Sequence, residues 1–155
     1  MSSSWCIKET PMAILNTPAE QKRLLERAKT IAVVGLSPDP TRDSHGISAY
    51  MKEAGYRVIG INPKAPEILG EKAYPSLSAM PDDERMRVDL VNVFRRPDDA
   101  QEIVKAVAAA GVKAVWFQPG TASPAAIDDA SRAGLDVVSE SCVMVAHRVL
   151  HPRRA

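Results

Sequence analysis

Apolar and polar positions alternate along this chain in blocks of two kinds. Short runs rich in Val, Ile and Leu are followed by longer segments in which apolar residues recur at helical spacing. The apolar runs cover residues 31–35, 57–62, 89–94, 112–118 and 135–139. Strands that alternate with helices are typical of parallel βαβ units. The pattern therefore predicts an α/β fold with a doubly wound parallel sheet of about five strands.

Capping and turn-forming residues bound the segments predicted to be helical. Thr17 and Pro18 open the first helix as an N-cap and a first-turn proline, and Glu20 completes a capping box. A glycine follows three of the later helices, as expected after a helix C-terminus. The later helices are predicted over residues 47–54, 97–110, 124–133 and 143–150.

Two parts of the chain depart from this alternation. Residues 65–86 contain several prolines and are predicted to form a loop with a short helix around Leu77. Residues 1–17 have no clean period and are predicted to form a tail or an arm packed on the domain. The rest of the chain, residues 18–155, is predicted to be a single domain.

Charge and composition narrow the range of partners. The chain of 155 residues has 20 Lys and Arg against 19 Asp and Glu, a formal net charge of +1. This balance gives no long-range attraction to nucleic acid or to an anionic membrane. Cys6 and Cys142 lie at opposite ends of the chain and show no metal-ligand spacing with the histidines. We expect a cytoplasmic protein with a small-molecule partner and no metal, and homodimer formation is left open.

The turn after the first predicted strand is suited to a phosphate. Gly35, Leu36 and Ser37 directly follow a buried strand, and Ser37 replaces the second glycine of a dinucleotide fingerprint. The next glycine, Gly46, comes late and follows Ser44, so the turn is wider than a nicotinamide-binding turn. Backbone N–H groups and a helix N-terminus at such a turn favour an anion. The alternative is a tight turn followed by an ordinary serine N-cap.

The end of the second predicted strand carries a lysine where a carboxylate would favour NAD. The residues there are Asn62, Pro63 and Lys64. An Asp or Glu at this position would hold the ribose 2′-hydroxyl of NAD. Lysine suits a ribose with an extra phosphate, either the 2′-phosphate of NADP or the 3′-phosphate of coenzyme A. The alternative is a solvated lysine in a surface turn.

The remaining strand ends carry further candidate binding residues. Phe94 is suited to flank an adenine and Arg95 to pair with a phosphate, although the arginine is equally typical of a solvated helix start. Gln118 and Gly120 are predicted to line the cleft, since glycine lets a ligand approach the backbone. Cys142 precedes a predicted helix, and a buried structural cysteine is favoured over a nucleophile.

Taken in chain order, these strand ends resemble the coenzyme-A-binding domain family, whose relatives include the N-terminal nucleotide domain of the succinyl-CoA synthetase α chain. The small stand-alone members of the family are the most similar. The matching segments are residues 32–37, 55–64, 89–95, 115–120 and 142–147. The resemblance implies a Rossmann-like fold, with one sheet between two layers of helices, that binds CoA at the carboxyl edge of the sheet.

The resemblance also implies a role for each part of the cleft. By this resemblance, Gly35 and Ser37 would lie under the pyrophosphate, and Asn62 and Lys64 would face the adenosine. Phe94 and Arg95 would flank the nucleotide. Gln118 and Gly120 would border the path of the pantetheine arm. Stand-alone relatives often carry a basic residue before the cysteine and an acidic one before the histidine, whereas this chain has Ser141 and Ala146.

These observations predict a small soluble protein that binds coenzyme A, or an acyl-CoA, without catalysis of its own. One alternative is an NADP-dependent oxidoreductase, which Lys64 allows and the missing second glycine disfavours. Another is a redox-linked protein in which Cys142 forms a mixed disulfide with CoA. Ligase activity by the chain alone is not expected, because the synthetase relatives need a phosphorylated histidine and an ATP-grasp partner.

Overall fold

The computed structural model describes residues 13–153. Within them, six strands form one parallel sheet. These strands are β1 (Ala13–Ile14), β2 (Thr30–Val34), β3 (Arg57–Ile61), β6 (Leu90–Val93), β7 (Ala114–Phe117) and β8 (Asp136–Val138). A separate antiparallel hairpin consists of β4 (Glu67–Ile68) and β5 (Glu71–Lys72). The helices are α1 (Pro18–Arg27), α2 (Asp43–Glu53), α3 (Asp82–Arg85), α4 (Ala100–Ala109), α5 (Pro124–Arg132) and α6 (Val143–Leu150).

The order of the strands is β1-β8-β7-β6-β2-β3. The chain leaves β2 toward β3 on one side and later returns to place β6 on the other side. In an open α/β sheet, a crevice forms at the carboxyl ends of two strands where the order reverses in this way. Here the two strands are β2 and β6, and their last residues, Val34 and Val93, are aligned in register.

Helices cover both faces of the sheet, so the predicted Rossmann-like, three-layer αβα architecture is confirmed. One face, called here the α4–α5 face, buries Val91, Val93 and Phe117 beneath those two helices. The other, called the α2–α6 face, buries Leu90 and Trp116 beneath α1, α2 and α6. Strands covered on both sides must be apolar on both sides, which is why continuous Val- and Ile-rich runs identified them in the sequence.

The five predicted strands are all present, and a sixth joins them from the segment expected to be a tail or an arm packed on the domain. Residues 1–12 of that segment lie outside the described residues. Residues 13–14 pair in parallel with β8, and Leu15 N–H donates to Val137 O at 2.7 Å. A strand of two residues has no periodicity, so the sequence could not indicate it. The predicted capping box is present, with Thr17 Oγ1 accepting from Glu20 N–H at 3.2 Å.

The irregular segment between β3 and β6 contains the hairpin, a 3-10 turn at Leu77–Ala79 and the single-turn helix α3. Arg57, the first residue of β3, fixes the hairpin through Glu71, with Nε to Oε2 at 3.0 Å. The hydrogen bonds that Arg57 donates to the Glu71 carboxylate raise the pKa of Arg57 above its ordinary value. No helix within residues 13–153 is long and apolar enough to cross a membrane.

Candidate binding cleft at the carboxyl edge

Two adjoining cavities open at the carboxyl ends of the strands. The larger, called the main cavity, has a volume of about 670 Å³ and extends from Phe94 past Gln118 to Cys142. The smaller, called the turn cavity, has a volume of about 330 Å³ and lies between the turn after β2 and the start of α2. Phe94 and Asp43 line both cavities, so the two form one continuous cleft.

Gly35 begins the turn after β2 and is required there by the backbone. Its φ is +91°, and a Cβ at this position would lie 2.6 Å from the carbonyl oxygen of Phe94. The Gly35 N–H donates to Ile61 O at 3.1 Å. A glycine therefore lets the ends of β2, β3 and β6 meet closely at the point where the sheet order reverses.

Serine hydroxyls organise the backbone of this turn. Ser44 is almost fully buried, and its Oγ accepts from the Ser37 N–H at 3.0 Å. Ser37 Oγ in turn accepts from Asp39 N–H at 3.0 Å. The Thr41 N–H and hydroxyl both donate to the Asp39 carboxylate and lower its pKa below the ordinary value. The wide turn is thus organised by side chains.

Arg42 and Asp43, at the start of α2, were missed by the sequence prediction, which placed Ser44 there. The helix begins at Asp43 with Arg42 at its N-cap, one turn before the predicted start at residue 47. Arg42 and Asp43 both line the turn cavity. The first turn of α2 is polar and includes a glycine, so it lacks the apolar spacing by which helices are recognised. Arg42 makes no side-chain capping hydrogen bond, so the N-cap residue gave no signal either.

Leu36 and Gly46 lie outside the two cavities. The Leu36 side chain is completely buried in the α2–α6 core. Gly46 is exposed in the first turn of α2, and a Cβ there would have no atom within 4 Å.

Asn62 ties the turns after β2 and β3 together. Its Nδ2 donates to Leu36 O at 2.9 Å, and its Oδ1 accepts from the Lys64 N–H at 2.7 Å. Pro63 and Lys64 are exposed, and none of the three residues lines the main or turn cavity. The turn presents the Lys64 ammonium group to solvent at the carboxyl end of β3.

Two arginines follow β6 at the mouth of the cleft. Arg95 and Arg96 both line the main cavity, and Arg95 also pairs with Asp99 one helical turn later, with Nη2 to Oδ2 at 3.0 Å. Arg95 also lines a third cavity of about 260 Å³ on the α4–α5 face, between Ile61 and Ile103. This arginine therefore stands between the cleft and the end of β3.

The far wall of the main cavity is built by hydrogen bonds between β7 and the turn before α6. Gln118 Oε1 accepts from the Val143 N–H at 3.0 Å, and Trp116 Nε1 donates to Ser141 O at 2.7 Å. Gly120 lies beside Gln118 on the same wall. These bonds fix Cys142, the half-buried N-cap residue of α6, at the end of the cavity.

His147 faces α2 and is engaged there. The Tyr50 hydroxyl and His147 Nδ1 are 2.9 Å apart. The rings of Tyr50 and Tyr56 meet the imidazole edge-on, at centroid distances of 5.5 and 5.8 Å. Among residues 13–153, no group of three or more His, Cys, Asp or Glu side chains is placed to hold a metal ion.

An open doubly wound sheet with its cleft at the switch in strand order defines a Rossmann-like α/β binding protein. Comparison with family models gives the family. The CoA binding domain model matches residues 29–148, which is the whole sheet apart from β1 together with the cleft. The chain belongs to the CoA-binding domain family.

Individual relatives agree with this assignment. The uncharacterized protein YneT of Bacillus subtilis (strain 168) is 38% identical over 131 residues, covering 84% of this chain and 94% of the relative. The ADP-forming acetate–CoA ligase I of Archaeoglobus fulgidus is 26% identical over 121 residues, covering 74% of this chain but 18% of the ligase. The structure of a hypothetical protein from Pyrococcus horikoshii OT3 superposes with a TM-score of 0.79 at 37% identity, covering 87% of this chain and 92% of that one.

Proposed function

We propose that this protein binds coenzyme A, or an acyl-CoA, along the carboxyl edge of its sheet and catalyses no reaction of its own. The observation that carries the proposal is that the family match, residues 29–148, contains every residue of the cleft. The ADP-forming ligase related to this chain supports CoA as the ligand, although the chain spans less than a fifth of that enzyme.

The turn cavity is the proposed site of the pyrophosphate. Helix α2 begins there, and helix N-termini favour anions through their free N–H groups and dipole. Arg42 supplies a positive charge at the same place, and Ser37 and Ser44 supply polar groups. Gly35 leaves the backbone open on this side. The carboxylate of Asp43 opposes an anion here, so the phosphate oxygens would lie toward Arg42 and the serines.

The adenosine end is proposed to extend toward β3. Lys64 is exposed at the end of that strand and suits the 3′-phosphate of CoA as a point charge. The third cavity, beside Arg95 and Ile61, offers an apolar wall and a guanidinium group at the same end of the sheet. A planar base can stack on a guanidinium or pack on apolar side chains.

The pantetheine arm is proposed to cross the main cavity. Its walls combine apolar side chains, among them Ile47, Phe94 and Pro97, with the amide of Gln118. Gly120 leaves the backbone accessible on one wall. This combination suits a flexible arm that is mostly hydrocarbon with amide groups at intervals.

Binding without catalysis is supported by the engagement of His147. The histidine five residues after Cys142 is held by the Tyr50 hydroxyl and two aromatic rings. It thus serves the packing of α6 on α2 in place of a proton transfer in the cleft. The proposed partner is a small molecule, with neither nucleic acid nor membrane involved.

Calorimetric titration with CoA tests the proposal, with NADP and NAD as competing ligands. We expect micromolar binding of CoA and no heat from either dinucleotide. Lys64→Ala should weaken CoA binding about tenfold through loss of a charge-assisted contact. Lys113→Ala, which removes an equal charge at the amino edge of the sheet, is the matched control and should bind normally.

The opposite results would refute specific parts of the proposal. If protein freed of any bound ligand does not bind CoA, the proposed function is wrong. Binding of NADP in preference to CoA would support the oxidoreductase alternative. If Lys64→Ala and Lys113→Ala weaken CoA binding equally, the proposed contact between Lys64 and the 3′-phosphate is wrong. Formation of ATP from acetyl-CoA, ADP and phosphate by the chain alone would contradict the absence of catalysis.

A further inference from the structure

The main cavity ends at a thiol whose position is fixed on both sides. Cys142 lines the cavity, is half-buried and is present as a free cysteine. The residue before it is held by Trp116 Nε1, which donates to Ser141 O at 2.7 Å. The residue after it is held by Gln118, which accepts from the Val143 N–H at 3.0 Å. The thiol therefore occupies a defined place on the cavity wall.

A second group on the same wall lacks a hydrogen-bond acceptor. Gln118 is only 4% exposed and lines the main cavity. Because a backbone N–H occupies its Oε1, the orientation of the amide is fixed and Nε2 is the branch left for the cavity. No residue in the described range 13–153 accepts a hydrogen bond from this Nε2. An amide donor on a nearly buried side chain that lines the cavity is suited to a ligand carbonyl at this position.

The distance across the sheet matches the ligand. From β2, where the pyrophosphate is proposed to lie, to β8, which leads to Cys142, there are three inter-strand steps. At the usual strand spacing this span is about 14 Å. An extended pantetheine arm is of the same order, carries two amide carbonyls and ends in a thiol. An arm anchored at the turn cavity would thus bring a carbonyl near Gln118 and its sulfur near Cys142.

We infer that Cys142 is a capture site for coenzyme A, forming a protein–CoA mixed disulfide when CoA is supplied as its disulfide. The inference rests on the proposed function, since the nucleotide must occupy the turn cavity to direct the arm. The Cys142 thiolate attacks one sulfur of the CoA disulfide. The protein–CoA S–S bond forms as the CoA–CoA S–S bond breaks. The second CoA leaves as a thiolate and takes up the proton that Cys142 lost, so Cys142 is oxidised and one CoA is reduced.

The test is intact-mass measurement under non-reducing conditions after incubation with CoA disulfide. We expect one CoA adduct on the wild-type chain and on Cys6→Ser, the matched control at the other cysteine, and none on Cys142→Ser. Formation should be at least about tenfold faster than with glutathione disulfide, because binding raises the effective concentration of the CoA disulfide. Adduct formation on Cys142→Ser, or equal rates with the two disulfides, would overturn the inference.

A parallel titration separates this inference from the proposed function. Reduced wild-type protein is titrated with CoA in the presence of a reductant, which prevents any disulfide. If CoA binds but CoA disulfide gives no adduct, the capture site is wrong and the binding function stands. If CoA does not bind and no adduct forms, both are wrong.

Gln118→Glu sharpens the role of the amide. The substitution keeps an oxygen that can accept from the Val143 N–H, so α6 retains its anchor. It removes the two N–H donors from the cavity wall. We expect capture by CoA disulfide to slow at least about tenfold more than the reaction with glutathione disulfide, since a carboxylate near Cys142 disfavours the attacking thiolate with either reagent. Equal rates of capture by the variant and the wild type would remove Gln118 from the site.

Discussion

The α4–α5 face and the α2–α6 face of the sheet bury different kinds of side chain. The α4–α5 face buries an apolar cluster that includes the completely buried Phe117, and its nearly buried polar residue on the sheet is Thr30, at the start of β2. The α2–α6 face holds a completely buried Trp116 that donates a hydrogen bond, and nearly buried Ser48, Asn92 and Gln118. Because Asn92 alternates with Val91 and Val93 along β6, its side chain belongs to the α2–α6 face.

This difference places a cost in stability beside the cleft. Burying a polar group costs free energy unless it finds a partner, so a core built for stability alone would exclude Ser48 and Asn92. The polar groups lie on the side of the sheet where α2 and α6 border the cleft. Both faces bury large apolar cores, and the α2–α6 face in addition accepts a cost in stability next to the binding cleft.

The largest effect is expected from a cavity on the α4–α5 face. Phe117→Ala should lower the free energy of unfolding by about 3–5 kcal/mol, because it removes a completely buried ring from a close-packed cluster. CoA affinity, measured at a temperature where the variant is folded, should change little. Chemical denaturation and calorimetry check the two expectations. A loss of affinity as large as the loss of stability would show that the two faces do not act separately.

An intermediate effect is expected at the turn after β2. Gly35→Ala places a Cβ against the Phe94 carbonyl oxygen at a residue with positive φ. We expect this substitution to lower the free energy of unfolding by about 1–3 kcal/mol and to abolish CoA binding. Gly46→Ala is the matched control, since nothing lies within 4 Å and the residue is helical. It should be neutral or stabilise by up to about 1 kcal/mol. Thermal denaturation compares the pair, and equal destabilisation would disprove the close contact.

The smallest effect is expected from Asn92. Its Oδ1 has no hydrogen-bond partner among the described residues, and the residue is 1% exposed. Asn92→Leu, of similar volume, should leave the free energy of unfolding within about 1 kcal/mol of the wild type or raise it. Asn92→Asp, which would bury a carboxylate, should be strongly destabilising. A loss above about 2 kcal/mol for the leucine variant would indicate that the amide is satisfied, for example by a buried water.

The sequence predicted the elements of the fold because each left a strong periodic signal. The buried strands are continuous apolar runs, and the caps of α1 and α5 use Thr17 and Ser123 with a proline next to each. The bounds of α6, residues 143–150, were predicted without error. Strands β1, β4 and β5 have two residues each, which is too short for a periodic pattern to appear in the sequence.

The site was predictable as a set of strand ends, and its interior was not. The rule that ligands bind at the carboxyl edge brought Phe94, Gln118 and Cys142 together, and the main cavity contains all three. The sequence could not show that Ser44 bonds Ser37, or that Gln118 anchors α6, because these contacts join residues on different elements. Arg42 was missed since the polar first turn of α2 hid the start of that helix.

The short strand β1 sets a boundary for anyone who shortens this chain. It covers one edge of β8, the strand that leads into the turn carrying Cys142. Removal of Ala13 and Ile14 would leave β8 as an open edge with unpaired N–H and C=O groups, ready to recruit a strand from another molecule. A purification tag joined upstream of residue 13 should leave β8 covered by β1, whereas a shortened version starting at α1 should associate with itself through β8 and disturb the cavity.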